Sequence, residues 1–137
     1  TYEGRWHKIT DAGLNPLPIQ GPIPIWFGGT SDRVMRRLAR IGDGWFPQSF
    51  GPDELGRENF EKLRSYIREA GRDPSEIGVE TRISLGQGDP DAWAEEATAW
   101  KKLGATHLSV NTMGAGFSTP HDHIDAIEGF KQAVESI

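Results

Sequence analysis

Apolar and polar positions along this chain follow two periods in turn, one suited to strands and one to helices. Ile23-Pro24-Ile25-Trp26-Phe27 is a short apolar run that reads as a strand, and residues 31–41 then repeat Val34, Leu38 and Ile41 at helical spacing. Gly42 and Gly44 punctuate, and Trp45-Phe46 is a second short strand. Pro52 opens a helical region with Phe60, Leu63, Ile67 and Ala70 on its apolar face, stopped by Gly71. Asp73-Pro74-Ser75 turns the chain into Ile77 to Leu85, a third strand in which Val79, Thr81 and Ile83 alternate. Gly86-Gln87-Gly88-Asp89 reads as loop and Pro90 as a first helical residue. That helix buries Trp93, Ala97 and Trp100 and ends at Gly104. His107-Leu108-Ser109-Val110 is a fourth strand, followed by the glycine loop Gly114-Ala115-Gly116. Thr119 caps and Pro120 starts the last helix, which turns Ile124, Ile127, Phe130, Val134 and Ile137 inward.

Residues 1–22 carry no clear period. Tyr2 to His7 suits a short extended or hairpin piece, while the closely spaced prolines from Pro16 to Pro22 force extended geometry. The expectation is a long loop lying over the domain, with residues 23–137 forming the regular part.

Four β-then-α units in succession require a parallel sheet. Two architectures satisfy the pattern: an open doubly wound sheet, or part of a (β/α)₈ barrel, which in full takes ~250 residues and eight strands. Both place ligand loops at the C-terminal ends of strands. The glycine-rich stretches at 28–29, 51, 86–88 and 114–116 all fall there.

The first of these stretches carries the most chemistry. Gly28-Gly29-Thr30-Ser31 joins a strand to a helix N-terminus, where glycines allow close approach and the first helical N–H groups point at an anion. A phosphate suits that end. The alternative is that Thr30 or Ser31 simply caps the helix and the glycines serve the turn.

Composition narrows the function classes. A chain of 137 residues with net charge −5 is one domain's worth of globular protein, and its charge disfavours nucleic acid or an anionic membrane as partner. Arg33, Arg36, Arg37 and Arg40 alternate with apolar positions and read as a solvated helix face. The absence of cysteine removes disulfides, thiolate zinc sites and a cysteine nucleophile. Nothing asks for an oxidising compartment, and a cytoplasmic setting is the expectation. No apolar run reaches the ~20 residues of a membrane span. Thr1 in place of an initiator methionine suggests a chain that begins inside something longer or has been processed.

Gly28-Gly29-Thr30-Ser31, a helix, and then Arg40-Ile41-Gly42-Asp43-Gly44-Trp45-Phe46-Pro47 together resemble the second half of a luciferase-like monooxygenase family member. Gly4-Arg5-Trp6-His7 and the stretch from Pro16 to Ile25 resemble the long connection before that family's fifth barrel strand. The branch most similar is the one that uses the deazaflavin coenzyme F420, and the resemblance covers nearly the whole chain. It implies a (β/α)₈ barrel of which residues 23–137 are strands five to eight with their helices. The first four strands would then be missing, leaving a chain of this extent incomplete for catalysis. It also implies hydride transfer between F420 and a small organic substrate, with Gly28, Gly29, Thr30 and Ser31 holding the cofactor phosphate. A close variant on the same scaffold is a reduced-FMN-dependent monooxygenase; a reading from another class is a non-catalytic half-barrel that serves assembly or phosphate binding.

Other residues fill out the expectation. Asp32 favours the helix dipole but repels a phosphate unless its side chain turns outward. Gln48 and Ser49, just past the second strand, are candidates to face the ring or the substrate. Arg82, on the third strand, is a costly buried charge unless it is paired or faces an anion. His121-Asp122-His123 has the residue types of a metal site, yet histidines two apart on a helix diverge and the preferred pair is i, i+4. Helix-start chemistry explains Asp122, Asp89 and Asp91 better, a turn explains Asp43, and His107 is given a structural role. Trp26 and Trp45 read as core or barrel wall. A four-strand half also exposes two strand edges, so a homodimer or higher assembly that covers them is expected.

Overall fold

The computed structural model describes residues 1–13, 15–86 and 88–137; the loop expectations at Leu14 and Gln87 fall outside them. Strands β1 (Tyr2–Glu3) and β2 (Lys8–Ile9) form a small antiparallel hairpin. The regular part then runs β3 (Trp26–Gly28), α1 (Asp32–Ile41), β4 (Gly44–Phe46) and α2 (Glu54–Glu69). A single 3₁₀ turn at Pro74–Glu76 leads into β5 (Gly78–Ser84), α3 (Pro90–Leu103), β6 (His107–Asn111) and α4 (Pro120–Val134). The sheet order is β3-β4-β5-β6 and every neighbouring pair is parallel.

Each helix packs on the next along one face of the sheet. Residues of odd parity on β5, Val79, Thr81 and Ile83, point into that layer and are buried, as the alternation predicts. They meet Phe60, Leu63 and Ile67 of α2 together with Ala97 and Trp100 of α3 in one core. At its centre Trp45 is fully buried, with its ring 5.4 Å from Phe60 and 5.9 Å from Phe50. Removing an aromatic side chain from such a position costs about 3–5 kcal/mol.

Several sequence expectations need correction. The first strand begins at Trp26 and not at Ile23. Pro24 has no N–H to donate, and the Ile25 N–H goes to the Asp43 carboxylate at 2.7 Å. The buried face of α1 is Met35, Leu38 and Ala39, while Ile41 is exposed at the helix end. Ala70 is exposed at the end of α2, which starts two residues past Pro52, after an Asp53 cap. On α4 only Phe130 is fully buried; Ile124 and Ile127 are exposed, because the helix packs mainly on α3. Residues 1–13 and 15–25 are all exposed.

Candidate functional site

Among the described residues, α2, α3 and α4 close their N-termini with a side chain. Asp53 accepts from the Gly56 N–H at 2.9 Å, Asp89 from the Ala92 N–H at 3.0 Å, and Thr119 from the Asp122 N–H at 3.2 Å. Helix α1 does not: Ser31 has extended backbone at the N-cap and makes no capping hydrogen bond. The first bond of this helix joins the Met35 N–H to the Ser31 carbonyl at 2.9 Å. The N–H groups of Asp32, Arg33 and Val34 precede it and have no intrahelical partner.

The loop that leads there is held from behind. Trp45 donates its indole N–H to the Gly29 carbonyl at 2.9 Å. Gly29 has φ +101°, a left-handed conformation that favours glycine. Gly28 has no such requirement, and a Cβ built on it would meet nothing within 4 Å. Its missing side chain therefore leaves open space above the end of β3. Asp32 turns away from this space: it pairs with Lys62 and accepts from the Tyr66 hydroxyl at 3.1 Å. Those hydrogen bonds, Lys62 first and Tyr66 second, hold its carboxyl below the ordinary carboxylate range. Donors without a nearby carboxylate aimed at them suit a phosphate group.

The sheet face away from the helices forms the second part of the site. At its base the Trp26 ring crosses neighbouring strands. A Cβ on Gly44 would fall inside that ring, and one on Gly78 would lie 2.7 Å from its Cη2 atom. Phe46 stacks beside it at 5.0 Å between centroids, and His107 meets it edge-on at 5.3 Å. Higher on this face the register places Arg82 opposite Ser109 and Ser84 opposite Asn111, whose amide donates to the Ser84 hydroxyl at 3.3 Å. Between β4 and β5 the ladder ends at Trp45–Val79. Beyond that pair a cleft of about 260 Å³ opens, lined by Phe46, Gln48, Phe50, Glu80, Arg82 and Trp100 among others.

Of the residues singled out from sequence, Gly28, Gly29, Thr30 and Ser31 gather at the α1 terminus, and Gln48 and Arg82 meet at the cleft. Ser49 is exposed and does not line that cleft. Arg82 is exposed on the inner face, not buried as its strand position suggested. Glu80 was missed, although the period-2 pattern that buries Val79, Thr81 and Ile83 puts it on the same face as Arg82. Asp43 ties strand starts together, its backbone bonding to Ile25 and Gly78. His123 is held by the Thr112 hydroxyl at 2.7 Å and His121 lies 3.8 Å from Asp125. Among the described residues no group of three metal-type ligands converges, and no helix is long and apolar enough to cross a membrane.

Comparison with known proteins gives this arrangement a context. An uncharacterised protein of Mycobacterium tuberculosis is 39% identical over 79 residues, which is 57% of this chain and 26% of the relative. A counterpart in Mycobacterium bovis matches to the same extent. Among solved structures, the F420-dependent tetrahydromethanopterin reductase of Methanopyrus kandleri superposes with a TM-score of 0.71 at 17% identity, over 98% of this chain and 56% of that one. An F420-dependent secondary alcohol dehydrogenase, in complex with an F420–acetone adduct, gives a TM-score of 0.50 at 20% identity, over 97% and 47%. The chain thus spans about a quarter of its curated relatives and about half of these structures. The fold is part of a (β/α)₈ barrel of luciferase-like type. With the family model for luciferase-like monooxygenases matching residues 1–132, the chain belongs to that family.

Proposed function

We propose that this chain is the C-terminal half, strands five to eight, of a cytoplasmic oxidoreductase that uses coenzyme F420. Residues 1–22 are then the connection ahead of strand five. Gly28, Gly29, Thr30 and Ser31 hold the cofactor phosphate, and Gln48 and Arg82, which share the cleft, face the ring or the substrate. The observation that carries this reading is the start of α1, where Ser31 leaves the helix donors unused and Gly28 leaves the space above them open. Support for the deazaflavin branch comes from the F420-dependent descriptions of the two solved structures compared above. When bound, the coenzyme supplies hydride transfer to or from a small organic substrate; the protein holds the phosphate tail and orients the reactants.

Titration of the chain with oxidised F420 and with FMN, followed by their distinct absorbance, tests this. The expected result is saturable F420 binding that Gly29→Asp removes. Retention of FMN without F420 binding would replace the proposal by its closest rival, a reduced-FMN-dependent monooxygenase on the same scaffold.

A second reading has its own observation. The outer edges of β3 and β6 have no strand beside them among the described residues, and Ile25, next to β3, and Leu108, in β6, are exposed. We propose that a second copy covers these edges when the chain stands alone, as an assembly module that does not itself catalyse. Analytical ultracentrifugation at micromolar concentration tests it: a monomer removes the reading.

A further inference from the structure

Among the described residues the inner face of the sheet carries one arginine, Arg82, which like Arg33, Arg37 and Arg40 outside has no ion-pair partner but, unlike them, lines the cleft between β4 and β5. On the helical surface Arg36 reaches Glu69 at 3.2 Å and Arg64 reaches Glu61 at 2.8 Å. Among the described residues Arg82 forms no ion pair, although Glu80 sits two residues away on the same strand face. Its neighbours in the cleft are the amide of Gln48 and an aromatic wall of Phe46, Phe50 and Trp100. Ser109, opposite it, donates its hydroxyl to the Thr81 carbonyl at 3.3 Å and leaves the guanidinium free.

We propose that this cleft takes the carboxylate of a small substrate with an apolar, preferably aromatic, body, and that Arg82 selects for that carboxylate. The planar guanidinium matches a carboxylate in a bidentate geometry, which a neutral amide cannot reproduce. The aromatic wall excludes water from one side and strengthens the contact. Glu80 sets the polarity of binding. It stands one step nearer the base of the sheet, towards the layer of Phe46 and His107, so the anionic end of the ligand is directed to the upper row and the apolar end to the wall. A second negative charge on the ligand would meet Glu80, so the class is a monocarboxylate rather than a phosphate ester or dicarboxylate. The inference deepens the oxidoreductase reading above and rests on it: the cofactor anchor lies two strand spacings away, about 10 Å across the same rim.

The test uses benzoate as probe and benzamide as its neutral isostere, titrated into the chain at pH 7 and followed by tryptophan fluorescence, since Trp100 lines the cleft. Benzoate is expected to bind about tenfold more tightly than benzamide. In R82M that preference is expected to vanish, R82K to recover part of it, and E80Q to tighten benzoate by about threefold. No saturable response to benzoate, equal affinity for benzamide, or an unchanged benzoate affinity in R82M each overturns the proposal. F420 and FMN titrations of the unsubstituted chain, set beside its benzoate and benzamide titrations, separate the two readings. Coenzyme binding with no carboxylate preference sinks the substrate class alone, whereas an Arg82-dependent preference with no coenzyme binding sinks the cofactor anchor alone.

Discussion

The N-termini of α1 and α4 start from the same ingredients and reach opposite ends. Each follows a glycine-bearing loop, places a hydroxyl residue at the N-cap and has an acid in its first turn. At α4 these parts close on one another: Thr119 accepts from the Asp122 N–H, and the Asp122 carboxylate accepts from the Thr119 and Ser118 N–H groups at 2.9 and 3.0 Å. At α1 the hydroxyl of Ser31 makes no cap, and Lys62 and Tyr66 draw the Asp32 carboxylate onto α2. A capping box satisfies two of the four free donors, and with Pro120 lacking an N–H only that of His121 is left at this end. The contrast teaches that the placement of one carboxylate decides whether a helix start serves stability or recognition.

Substitutions at the two ends break or sharpen this comparison. The largest effect is expected for Gly29→Asp, which puts a side chain at φ +101° and a charge beside the donors. It should cost about 1–2 kcal/mol in urea unfolding and remove coenzyme binding in titration. Thr119→Ala comes next, with a loss of about 1 kcal/mol in the same unfolding assay and coenzyme affinity unchanged. Ser31→Ala should move stability by less than about 0.5 kcal/mol yet weaken coenzyme binding about fivefold. If it destabilises as much as Thr119→Ala, the α1 terminus is an ordinary capped end.

The smallest effect is in pH dependence. Hydrogen bonds from the Thr119 and Ser118 N–H groups hold the Asp122 carboxyl below its ordinary value. Its contribution to stability is therefore complete above the unfolded-state value, about 3.9, and is lost as pH falls through the lower folded-state value. Urea unfolding of D122N between pH 7 and pH 3 should show a shallower acid loss than the parent chain. Asp32 shifts in the same direction through Lys62 and Tyr66, so D32N should flatten the same acid limb.

The element order was legible because its signals are local. Pro90 and Pro120 follow capping residues, Gly104 closes α3 with φ +103°, and β5 alternates without interruption. The misplaced faces have a different origin. Val34, Leu38 and Ile41 repeat at helical spacing, but α1 has a neighbouring helix on only one side, and the face turned to the sheet is Met35, Leu38 and Ala39. Ile124 and Ile127 are likewise exposed on α4, whose main neighbour is α3. Helical spacing records which residues are apolar, not which neighbours are present to cover them. For the site, Gly28 to Ser31 could be read as a donor loop, and Val34 at the third helical position rules out a capping box there; that Asp32 turns onto α2 could not be read, because Lys62 and Tyr66 lie thirty residues or more downstream. The cleft was invisible for a similar reason: it arises where the β4–β5 ladder stops, which no single strand encodes.

Trp26 sets a limit of its own. Lying over Gly44 and Gly78 with its edge towards His107, this indole acts as a floor plate for whatever enters from the loop end. Trp26→Ala would leave the inner face bare over both glycines, where only His107 and Phe46 now flank the ring. The same change would relieve Gly44 and Gly78 of the need to stay bare, so the identities of three positions in three strands are coupled through one side chain.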